Sequence, residues 1–311
     1  MSQASKDRTI VVTGAGGMIG LAVVTQLLDA GFQVAGLEIK TSAALRSLAQ
    51  KYRTLRLMDG DLLDPAFVVE AFKNLAEQKE VSAVIHLAGL ADASQCEADP
   101  IRAFEQNTMA TVCVLEACCR AKIRHLIFPS TGYVYGTGHS PGVKESCDSN
   151  PQGLYALTKL AAETVIRGYA SMGRIGCDIL RLSNVYGPAS KPNTVVGLLL
   201  SQKKDHLPIS VHDPAPIRDF VHVDDVVETM FRLIQAGPSG PCTLNVSTGI
   251  GTSTGELARL FAEVQHLPHD NPPSSVGERA VSSCLVMDNA GLHQRLQWRP
   301  GITLREGLSR L

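Results

Sequence analysis

Two side chains with the chemistry of a proton acceptor and a supporting cation lie close together in the sequence. Tyr155 and Lys159 are four positions apart in the segment Leu154–Ser171, whose apolar pattern predicts a helix, so they share one face one turn apart. A tyrosine titrates at about pH 10, and making its anion accessible at about pH 7 requires about 4 kcal/mol of stabilisation. An ammonium about 4 Å away supplies roughly that amount at an effective dielectric near 20. Lys159 would therefore let Tyr155 act as a general base.

Hydroxyl groups at the end of a predicted strand would complete such a site. Ser130 and Thr131 end the strand predicted over His125–Ser130, and Thr131 lies 24 residues before Tyr155. A hydroxyl there would share a substrate alcohol with the tyrosine anion. The Tyr-x-x-x-Lys spacing also occurs on ordinary amphipathic helices, where it carries no chemistry, so the interpretation depends on the features that accompany it.

A glycine-rich turn after the first predicted strand indicates a phosphate site. The turn, Thr13–Gly20, follows the strand Thr9–Val12 and runs into the helix Met18–Ala30. Glycines permit a tight turn and close approach of the backbone to a pyrophosphate, while the helix start at Met18 and Ile19 supplies amides and the positive end of the helix dipole. The spaced glycines are Gly14, Gly17 and Gly20. We interpret the turn as a dinucleotide site, although such a turn can also merely reverse the chain.

Glu38 indicates which dinucleotide to expect. It ends the second predicted strand, 24 residues after Gly14, where a carboxylate accepts hydrogen bonds from the adenosine ribose and repels a 2′-phosphate. The sequence therefore predicts NAD rather than NADP, although Lys40 nearby weakens the preference. The oxidised nicotinamide would add a second cation beside Tyr155. Further cofactor contacts are predicted at the carboxyl ends of later strands, at Asp61, Leu62, Leu87, Ala88 and Gly89.

The elements that must position these residues predict an α/β fold. The chain has 311 residues, and short apolar runs alternate with helical patterns through its first half, which is typical of βαβ units around a parallel sheet. After Gly187 the alternation loosens. The expected fold is a Rossmann-type doubly wound parallel sheet with a smaller C-terminal substrate-binding lobe. The NAD-binding domain is predicted over 1–187 and 220–249, and the lobe over 188–219 and 250–311.

The same patterns predict the individual elements. Further strands are predicted at Gln33–Leu37, Thr54–Met58, Val81–Leu87, Cys177–Leu182, Phe220–Val223 and Cys242–Val246. Further helices are predicted at Pro65–Ala76, Pro100–Ala121 and Val195–Leu200, and Gly255–Val264 is assigned to the lobe. The strands Phe220–Val223 and Cys242–Val246 are expected to return to the main sheet.

Composition and charge exclude several function classes. Hydrophobic residues make up 44% and charged residues 19% of the chain, which is ordinary globular usage. A net charge of −1 provides no field that would draw the protein to nucleic acid or an anionic membrane. The eight cysteines form no Cys-x-x-Cys pair and have no His at zinc-ligand spacing, so we expect reduced thiols and no metal site. Without a signal-peptide apolar region or an apolar run of about 18 residues, the protein is predicted to be cytoplasmic.

Together these motifs resemble the extended short-chain dehydrogenase/reductase family, in particular its NAD-dependent nucleotide-sugar epimerases and dehydratases of the UDP-glucose 4-epimerase type. The resemblance covers nearly the whole chain. It is carried by Thr13–Gly20, His86–Gly89, Asn107, Ser130–Gly136, Tyr155, Lys159, Arg181–Pro188 and Arg218–Asp225.

The resemblance implies a role for each of these positions and a nucleotide-diphosphate sugar as the substrate. The implied catalytic triad is Thr131, Tyr155 and Lys159. Asn107 is expected to contact the cofactor, as are Tyr155 and Lys159. The implied substrate contacts are Ser130, Thr131, Asn184, Arg218 and Arg279. Arg279 would reach the diphosphate, for which an arginine fork is suited, although it could also be an ordinary surface charge.

The resemblance also implies a homodimer. Relatives pair helices corresponding to Asn107–Ala121 and Tyr155–Ala170 into an intersubunit four-helix bundle, and both segments are apolar beyond a single stripe. The alternative is burial of these faces against the second lobe of the same chain.

The residues after Thr131 bear on which reaction is expected. Family members that eliminate water carry Asp-Glu there, and sugar-acid decarboxylases carry a glutamate, whereas this chain has Gly132 and Tyr133. A 4-ketoreductase would need fresh reduced cofactor, usually NADPH, which Glu38 disfavours. We therefore expect epimerisation at C4 through a transient 4-keto sugar. Ketoreductase and dehydratase activity stay open as alternatives, as does an NAD-binding sensor without turnover.

Overall fold

Strands and helices alternate along the first half of the chain, as the sequence predicts. The structure is a computed structural model that describes residues 8–238, 240–269 and 283–311. The strands are β1 (Thr9–Thr13), β2 (Gln33–Glu38), β3 (Leu55–Asp59), β4 (Val81–His86), β5 (His125–Thr131), β6 (Gly176–Leu182), β7 (Asn184–Tyr186), β8 (Ile217–His222), β9 (Cys242–Val246), β10 (Gly251–Ser253) and β11 (Cys284–Leu285). The helices are α1 (Met18–Asp29), α2 (Ala43–Lys51), α3 (Pro65–Gln78), α4 (Ala93–Ala98), α5 (Pro100–Phe104), α6 (Ala110–Arg120), α7 (Leu154–Ser171), α8 (Val195–Lys204), α9 (Val223–Ala236), α10 (Thr254–Val264), α11 (Ala290–Leu296) and α12 (Leu304–Ser309).

Seven strands form one sheet in the order β3-β2-β1-β4-β5-β6-β9. β1 pairs in parallel with β2 and with β4, and the pairs β2–β3 and β4–β5 are parallel as well. The chain proceeds outward from β1 to β3 and then returns to place β4 beside β1, so the winding reverses between β1 and β4. This is the doubly wound α/β arrangement that the sequence predicts, and such sheets bind ligands at the carboxyl ends of the strands beside the reversal.

Apolar packing explains how the helices attach to this sheet. Helices α3, α6 and α7 share one buried core with the strands, in which Phe72, Val114, Phe128 and Ile166 are fully buried. Helix α1 contacts α9. Gln26 on α1 donates a hydrogen bond of 2.9 Å to the carboxylate of Glu228 on α9. Burial of these apolar side chains is the main favourable contribution to such packing.

Aspartate caps begin three helices that follow strands or short loops. Asp64 accepts hydrogen bonds from the Ala66 and Phe67 amides at the start of α3, where Pro65 occupies the first helical position. Asp92 caps α4 in the same way, and Asp99 caps α5. A carboxylate at this position satisfies amides that lack a partner within the helix, and it also meets the positive end of the helix dipole.

A second, four-stranded sheet contains β8, which corrects one prediction. β8 pairs in parallel with β7 and β11 and antiparallel with β10. The expectation that Phe220–Val223 returns to the main sheet is therefore wrong, whereas Cys242–Val246 does return there as β9. The difference arises because a strand's neighbours are set by pairing with distant segments, here Asn184 opposite Phe220, and local residue types do not encode that choice.

The described residues divide into two compact units. One comprises residues up to Thr131 together with Gly153–Leu180 and Val227–Thr243, and the other comprises Gly132–Gln152, Arg181–Val226 and Leu244–Leu311. These units interleave along the chain more finely than the predicted domains do. The assignment of cofactor binding to one domain and substrate binding to a smaller lobe stays a prediction.

Several helical segments differ from the sequence-based expectation, among them α4, α9, α11 and α12, which were not predicted. The helix predicted over Pro100–Ala121 is interrupted by a π-helical turn, Glu105–Met109, between α5 and α6. Helix α2 was not predicted, because its one buried residue, Leu45, gives too weak an apolar pattern.

Some negative findings apply to the described part of the chain. None of its helices is both long and apolar enough to cross a membrane. No group of three or more His, Cys, Asp or Glu side chains within it is arranged to hold a metal ion. The eight cysteines all lie in described segments, as free thiols.

Candidate active site

The glycine turn after β1 is packed too closely for any side chain at two of its positions. Gly14 has a φ of +67°, and a Cβ there would lie 2.6 Å from the amide nitrogen of Ala88. A Cβ on Gly20 would lie 2.1 Å from the carbonyl oxygen of Gly14. The backbone of the turn therefore lies against both the segment after β4 and the start of α1, where Met18 and Ile19 form the first helical turn. Helix starts of this kind attract anions.

A cleft of about 250 Å³ lies along this turn. Its lining residues are Gly14, Gly17, Leu37, Glu38, Ile39, Gly60, Asp61, Leu62, Leu63, Leu87, Ala88, Gly89, Gln106 and Ala110. Eight predicted cofactor positions are therefore brought together, namely Gly14, Gly17, Glu38, Asp61, Leu62, Leu87, Ala88 and Gly89. Met18, Ile19, Asn107, Tyr155 and Lys159 are outside this lining set.

Glu38 is half-buried at the end of β2 and faces the glycine turn. Its Oε1 accepts a hydrogen bond from the amide of Gly16. Burial raises the pKa of Glu38, and the nearby charge of Asp59 raises it further, while the hydrogen bond from Gly16 opposes both effects. A carboxylate held against the turn at this point is suited to accept hydrogen bonds from hydroxyl groups of a ligand in the cleft.

Asn107 is buried beneath the segment that follows β4. Its Oδ1 accepts a hydrogen bond from the Leu90 amide over 2.7 Å, and its Nδ2 donates to the Leu90 carbonyl over 3.0 Å and to Thr158 Oγ1 over 2.9 Å. The π-helical turn Glu105–Met109 presents this side chain, and π turns are frequent at functional sites. Asn107 thus shapes the wall of the cleft by holding the loop, since its own side chain is only 2% exposed.

Helix α7 begins immediately before the tyrosine of the predicted triad. Gly153 has a φ of +93°, and the carboxylate of Glu97 accepts a hydrogen bond from the Leu154 amide over 2.7 Å. A negative side chain at this position stabilises the helix start. Tyr155 therefore sits in the first turn of a helix that is anchored from α4, and it is half-buried.

Lys159 lies one turn further along α7 and is almost fully buried. Its Nζ is 4.0 Å from the centre of the Phe128 ring on β5. Burial lowers the pKa of Lys159 to about 7, and the charge of Glu163 opposes this shift. Burial therefore weakens the ammonium that the spacing alone predicts.

Ser130 and Thr131 end β5 but have different surroundings. The Ser130 hydroxyl donates a hydrogen bond of 2.5 Å to Glu163 Oε1, and Glu163 Oε2 accepts one of 2.7 Å from Arg167. The Ser130 side chain therefore faces α7. The substrate contact expected from Ser130 stays a prediction, although its hydroxyl is directed to Glu163.

Two other predicted substrate residues, Asn184 and Arg218, lie in the second unit. Asn184 Nδ2 donates to the Tyr133 hydroxyl over 3.2 Å, and Arg218 Nε does so over 3.4 Å. Arg218 also donates to the side chain of Ser283 over 2.9 Å and to its carbonyl oxygen. Asn184 and Arg218 thus meet at one phenol. Arg279 lies outside the described residues.

Reasoning from the sequence missed Glu163 and six residues that line the cleft, namely Leu37, Ile39, Gly60, Leu63, Gln106 and Ala110. Glu163 is fully buried behind Lys159, and its signal is a second four-residue step along the same helix face, Tyr155 to Lys159 to Glu163. Gly60 lines the cleft, and a Cβ there would lie 2.2 Å from the Phe67 ring, a contact that the sequence does not reveal.

Comparison with known families accounts for this arrangement. The model of the NAD dependent epimerase/dehydratase family matches residues 10–247. The chain belongs to this family. This assignment confirms the family resemblance that the sequence motifs indicated. It also confirms NAD as the expected cofactor.

Individual relatives in the family carry more than one activity. The UDP-glucose 4-epimerase of Mycolicibacterium smegmatis is 31% identical over 96% of this chain and 96% of its own length. The human dTDP-D-glucose 4,6-dehydratase is 25% identical over 97% of this chain and 88% of its own length. The structure of the Thermus thermophilus UDP-glucose 4-epimerase in complex with NAD is similar, with a TM-score of 0.82, 27% identity and coverage of 97% of this chain and 96% of the other. The chain is thus a member of a nucleotide-sugar epimerase/dehydratase family.

Proposed function

We propose that this protein epimerises a nucleotide-diphosphate sugar at C4, with a UDP-hexose as the expected substrate, through a transient 4-keto sugar. The observation that carries the choice of reaction is the pair of residues after Thr131. Gly132 has no side chain, and a Cβ there would lie 2.7 Å from the sulfur of Met287, which would have to move. Tyr133 places a phenol where water-eliminating members of the family carry a carboxylic acid. Neither residue supplies the acid that elimination or decarboxylation requires.

NAD fits the cleft beside the glycine turn. The absence of side-chain room at Gly14 and Gly20 leaves backbone at the surface that a pyrophosphate would approach, and Glu38 lies where a ribose would follow. When bound, NAD supplies a reversible acceptor for the hydrogen of the sugar C4. Gly17, Met18 and Ile19 would hold the phosphates, while Asp61 and Leu62 would border the adenine.

The residues of α7 and β5 would carry the proton chemistry. Tyr155 would take the proton of the C4 hydroxyl as that carbon is oxidised and would return it after the keto sugar has turned in the pocket. Lys159 would stabilise the tyrosine anion by its charge, and Thr131 would hold the sugar oxygen by a hydrogen bond. This division follows from their chemistry, since a phenolate is a base, an ammonium is a cation and a hydroxyl is a neutral donor.

Contacts in the second unit would orient the rest of the substrate. Asn184 and Arg218 would bind the nucleotide-sugar, with Ser130 and Arg279 as further predicted contacts. The UDP-glucose 4-epimerase of Mycolicibacterium smegmatis, matched over nearly its whole length, supports a UDP-sugar as the first candidate. The human dTDP-D-glucose 4,6-dehydratase gives the leading alternative.

The decisive experiment is incubation of the NAD-loaded protein with UDP-, GDP-, dTDP- and CDP-sugars, with the products resolved by NMR. Inversion at C4 without net NADH supports the proposal. Loss of water would indicate a dehydratase, and net NADH consumption with a reduced sugar would indicate a ketoreductase. A spectral change of NAD without any converted sugar would identify a non-catalytic sensor.

We also propose that the protein forms a homodimer through the helices around the π turn and α7. Exposed apolar side chains support this surface, namely Ile101, Phe104, Met109 and Leu157. Monomers seldom leave such side chains clustered in water. Light scattering would test the proposal, because a monomeric mass at micromolar concentration contradicts it, and Ile101→Glu with Leu157→Glu should convert a dimer to monomers.

A further inference from the structure

The buried carboxylate of Glu163 takes no part in the chemistry proposed above. It is 0% exposed on α7, one turn beyond Lys159 and two turns beyond Tyr155. Buried carboxylates are costly unless they are paired, so the position calls for a physical reason. Its two oxygens are satisfied by different elements of the same unit, Ser130 from β5 and Arg167 from α7.

Contacts of α7 with β5 lie at the lysine and one turn beyond it. Ser130 and Phe128 are two residues apart on β5 and so point to the same face. Ser130 donates to Glu163 over 2.5 Å, while the Phe128 ring lies 4.0 Å from Lys159 Nζ. Adjacent turns of the helix therefore contact adjacent same-face positions of the strand. The arrangement restricts where the first turn, with Tyr155, is placed.

The charges around Lys159 are unequal in their effect. Phe128 offers the negative face of its ring, a weak attraction. His86 on β4 lies close enough for the lysine charge to act on it, but burial, followed by that charge, lowers the pKa of His86 to about 3, so the imidazole is neutral. Arg167 adds a half-exposed positive charge further along α7. Glu163 is the anion of this set, and its charge opposes the effect of burial on Lys159.

We propose that Glu163 is a positioning residue of this site, whose buried negative charge holds Lys159 as an ammonium and whose bond to Ser130 fixes α7 against the end of β5. The inference rests on the proposed function, because an ammonium at this position is needed only if Tyr155 must become an anion. The charge effect itself is a property of the folded chain. It is therefore measurable without turnover.

The test is an NMR titration of Lys159 in the full-length protein labelled with ¹³C at the lysine ε carbon, with Lys159→Met identifying its signal. Glu163→Gln keeps an acceptor for Ser130 and removes the charge, so the midpoint should move down by about one pH unit. Arg167→Gln removes the cation that partly neutralises Glu163, so the midpoint should move up. A purely structural role of Glu163 would not produce shifts of opposite sign.

Matched variants complete the experiment. Glu163→Asp keeps the charge and should return the midpoint most of the way to the wild-type value. Glu116→Gln removes a carboxylate of α6 that likewise binds a hydroxyl, from Tyr169, and an arginine, Arg174, and it should leave the midpoint of Lys159 unchanged. An unchanged midpoint in Glu163→Gln, or shifts of the same sign in the Gln variants of Glu163 and Arg167, would overturn the proposal. If Glu163→Gln does not fold, an unchanged or lowered midpoint in Arg167→Gln overturns the proposal.

A turnover measurement separates this inference from the proposed function. If the wild type converts a sugar, the pH profile of kcat should move in the same direction as the lysine midpoint in each variant. If the wild type converts none, the function proposed above fails, while the titration still decides the role of Glu163. A shifted midpoint with an unmoved pH profile would overturn the link between the two.

Discussion

A buried acidic side chain contacts each end of β5, and the two acids have different partners. At the amino end, His125 Nε2 and Asp178 Oδ2 are 2.7 Å apart and are 1% and 0% exposed. At the carboxyl end, Glu163 is bonded to Ser130 and Arg167 and acts on Lys159 one turn away. Asp178 pairs directly with a base, whereas Glu163 interacts with a hydroxyl, a half-exposed arginine and a buried lysine.

This difference separates a stabilising pair from a site that keeps a charge finely balanced. The His125–Asp178 pair is buried, so a ligand does not reach it. Lys159, whose pKa burial lowers to about 7, changes its charge near neutral pH and lies at the sheet edge where ligands of doubly wound folds bind. The pair at the amino end should therefore stabilise the fold. The buried Lys159 at the carboxyl end should lower stability while serving the chemistry of the site.

The largest expected effect comes from breaking the amino-end pair. His125→Ala should lower the free energy of unfolding by about 3 to 5 kcal/mol, because it leaves Asp178 buried without its base. Urea denaturation measures the loss, and turnover per folded molecule should be unchanged. Adding Asp178→Asn should recover part of the loss, since a neutral amide is less costly to bury. A loss below about 1 kcal/mol would show that this buried pair contributes no more to stability than an exposed salt bridge does.

The corresponding substitution at the carboxyl end should affect activity. Tyr155→Phe removes the proton acceptor and keeps the ring, so kcat should fall by about 100-fold, which corresponds to about 2.7 kcal/mol. NAD binding, followed by fluorescence, should persist. Retention of a near-normal rate would contradict the role assigned to this residue.

The pH dependence of stability should distinguish the two ends. The folded pKa of Lys159 is about 7 and its ordinary value is 10.5, so between these pH values the unfolded chain binds more protons and stability rises with pH. Relative to Lys159→Met, the wild type should gain about 2 kcal/mol in unfolding free energy from about pH 7 to about pH 9. Urea denaturation of both proteins at the two pH values measures this. A constant difference would show that Lys159 remains charged throughout.

The smallest expected effect concerns the cleft itself. Glu38→Ala removes the carboxylate that would bind ribose hydroxyls and repel a 2′-phosphate, so the preference for NAD over NADP should narrow by roughly 10-fold, or about 1.4 kcal/mol. Calorimetric titration with both cofactors gives the ratio. An unchanged ratio would remove Glu38 from the ribose site while leaving the comparison of the strand ends intact.

That the predicted positions around the glycine turn lie together could be foreseen, because their signals are local. The glycine turn follows a strand and opens a helix, and Glu38 ends the next strand, so each residue's place follows from the element that carries it. The structure brings Gly14, Glu38 and Ala88 to one cleft, as expected. The strand order β3-β2-β1-β4 follows from the same alternation.

What the sequence could not provide depends on long-range pairing. β8 joins β7 and β10 rather than the main sheet, and nothing within β8 specifies those partners. The burial that shifts the pKa of Lys159 comes from surrounding elements, so the Tyr155 spacing alone overstates its charge.

The π-helical turn between α5 and α6 has a consequence for how the chain tolerates changes in length. A π turn holds one residue more than an α turn, so removing one residue from Glu105–Met109 would restore a regular helix and rotate its neighbours by about 100°. Such a deletion would keep the segment helical but would break the hydrogen bonds of Asn107 to Leu90 in the loop after β4. The loop held by these hydrogen bonds carries Gly89 to the wall of the cleft, so a change of one residue in chain length here would alter the shape of the cleft.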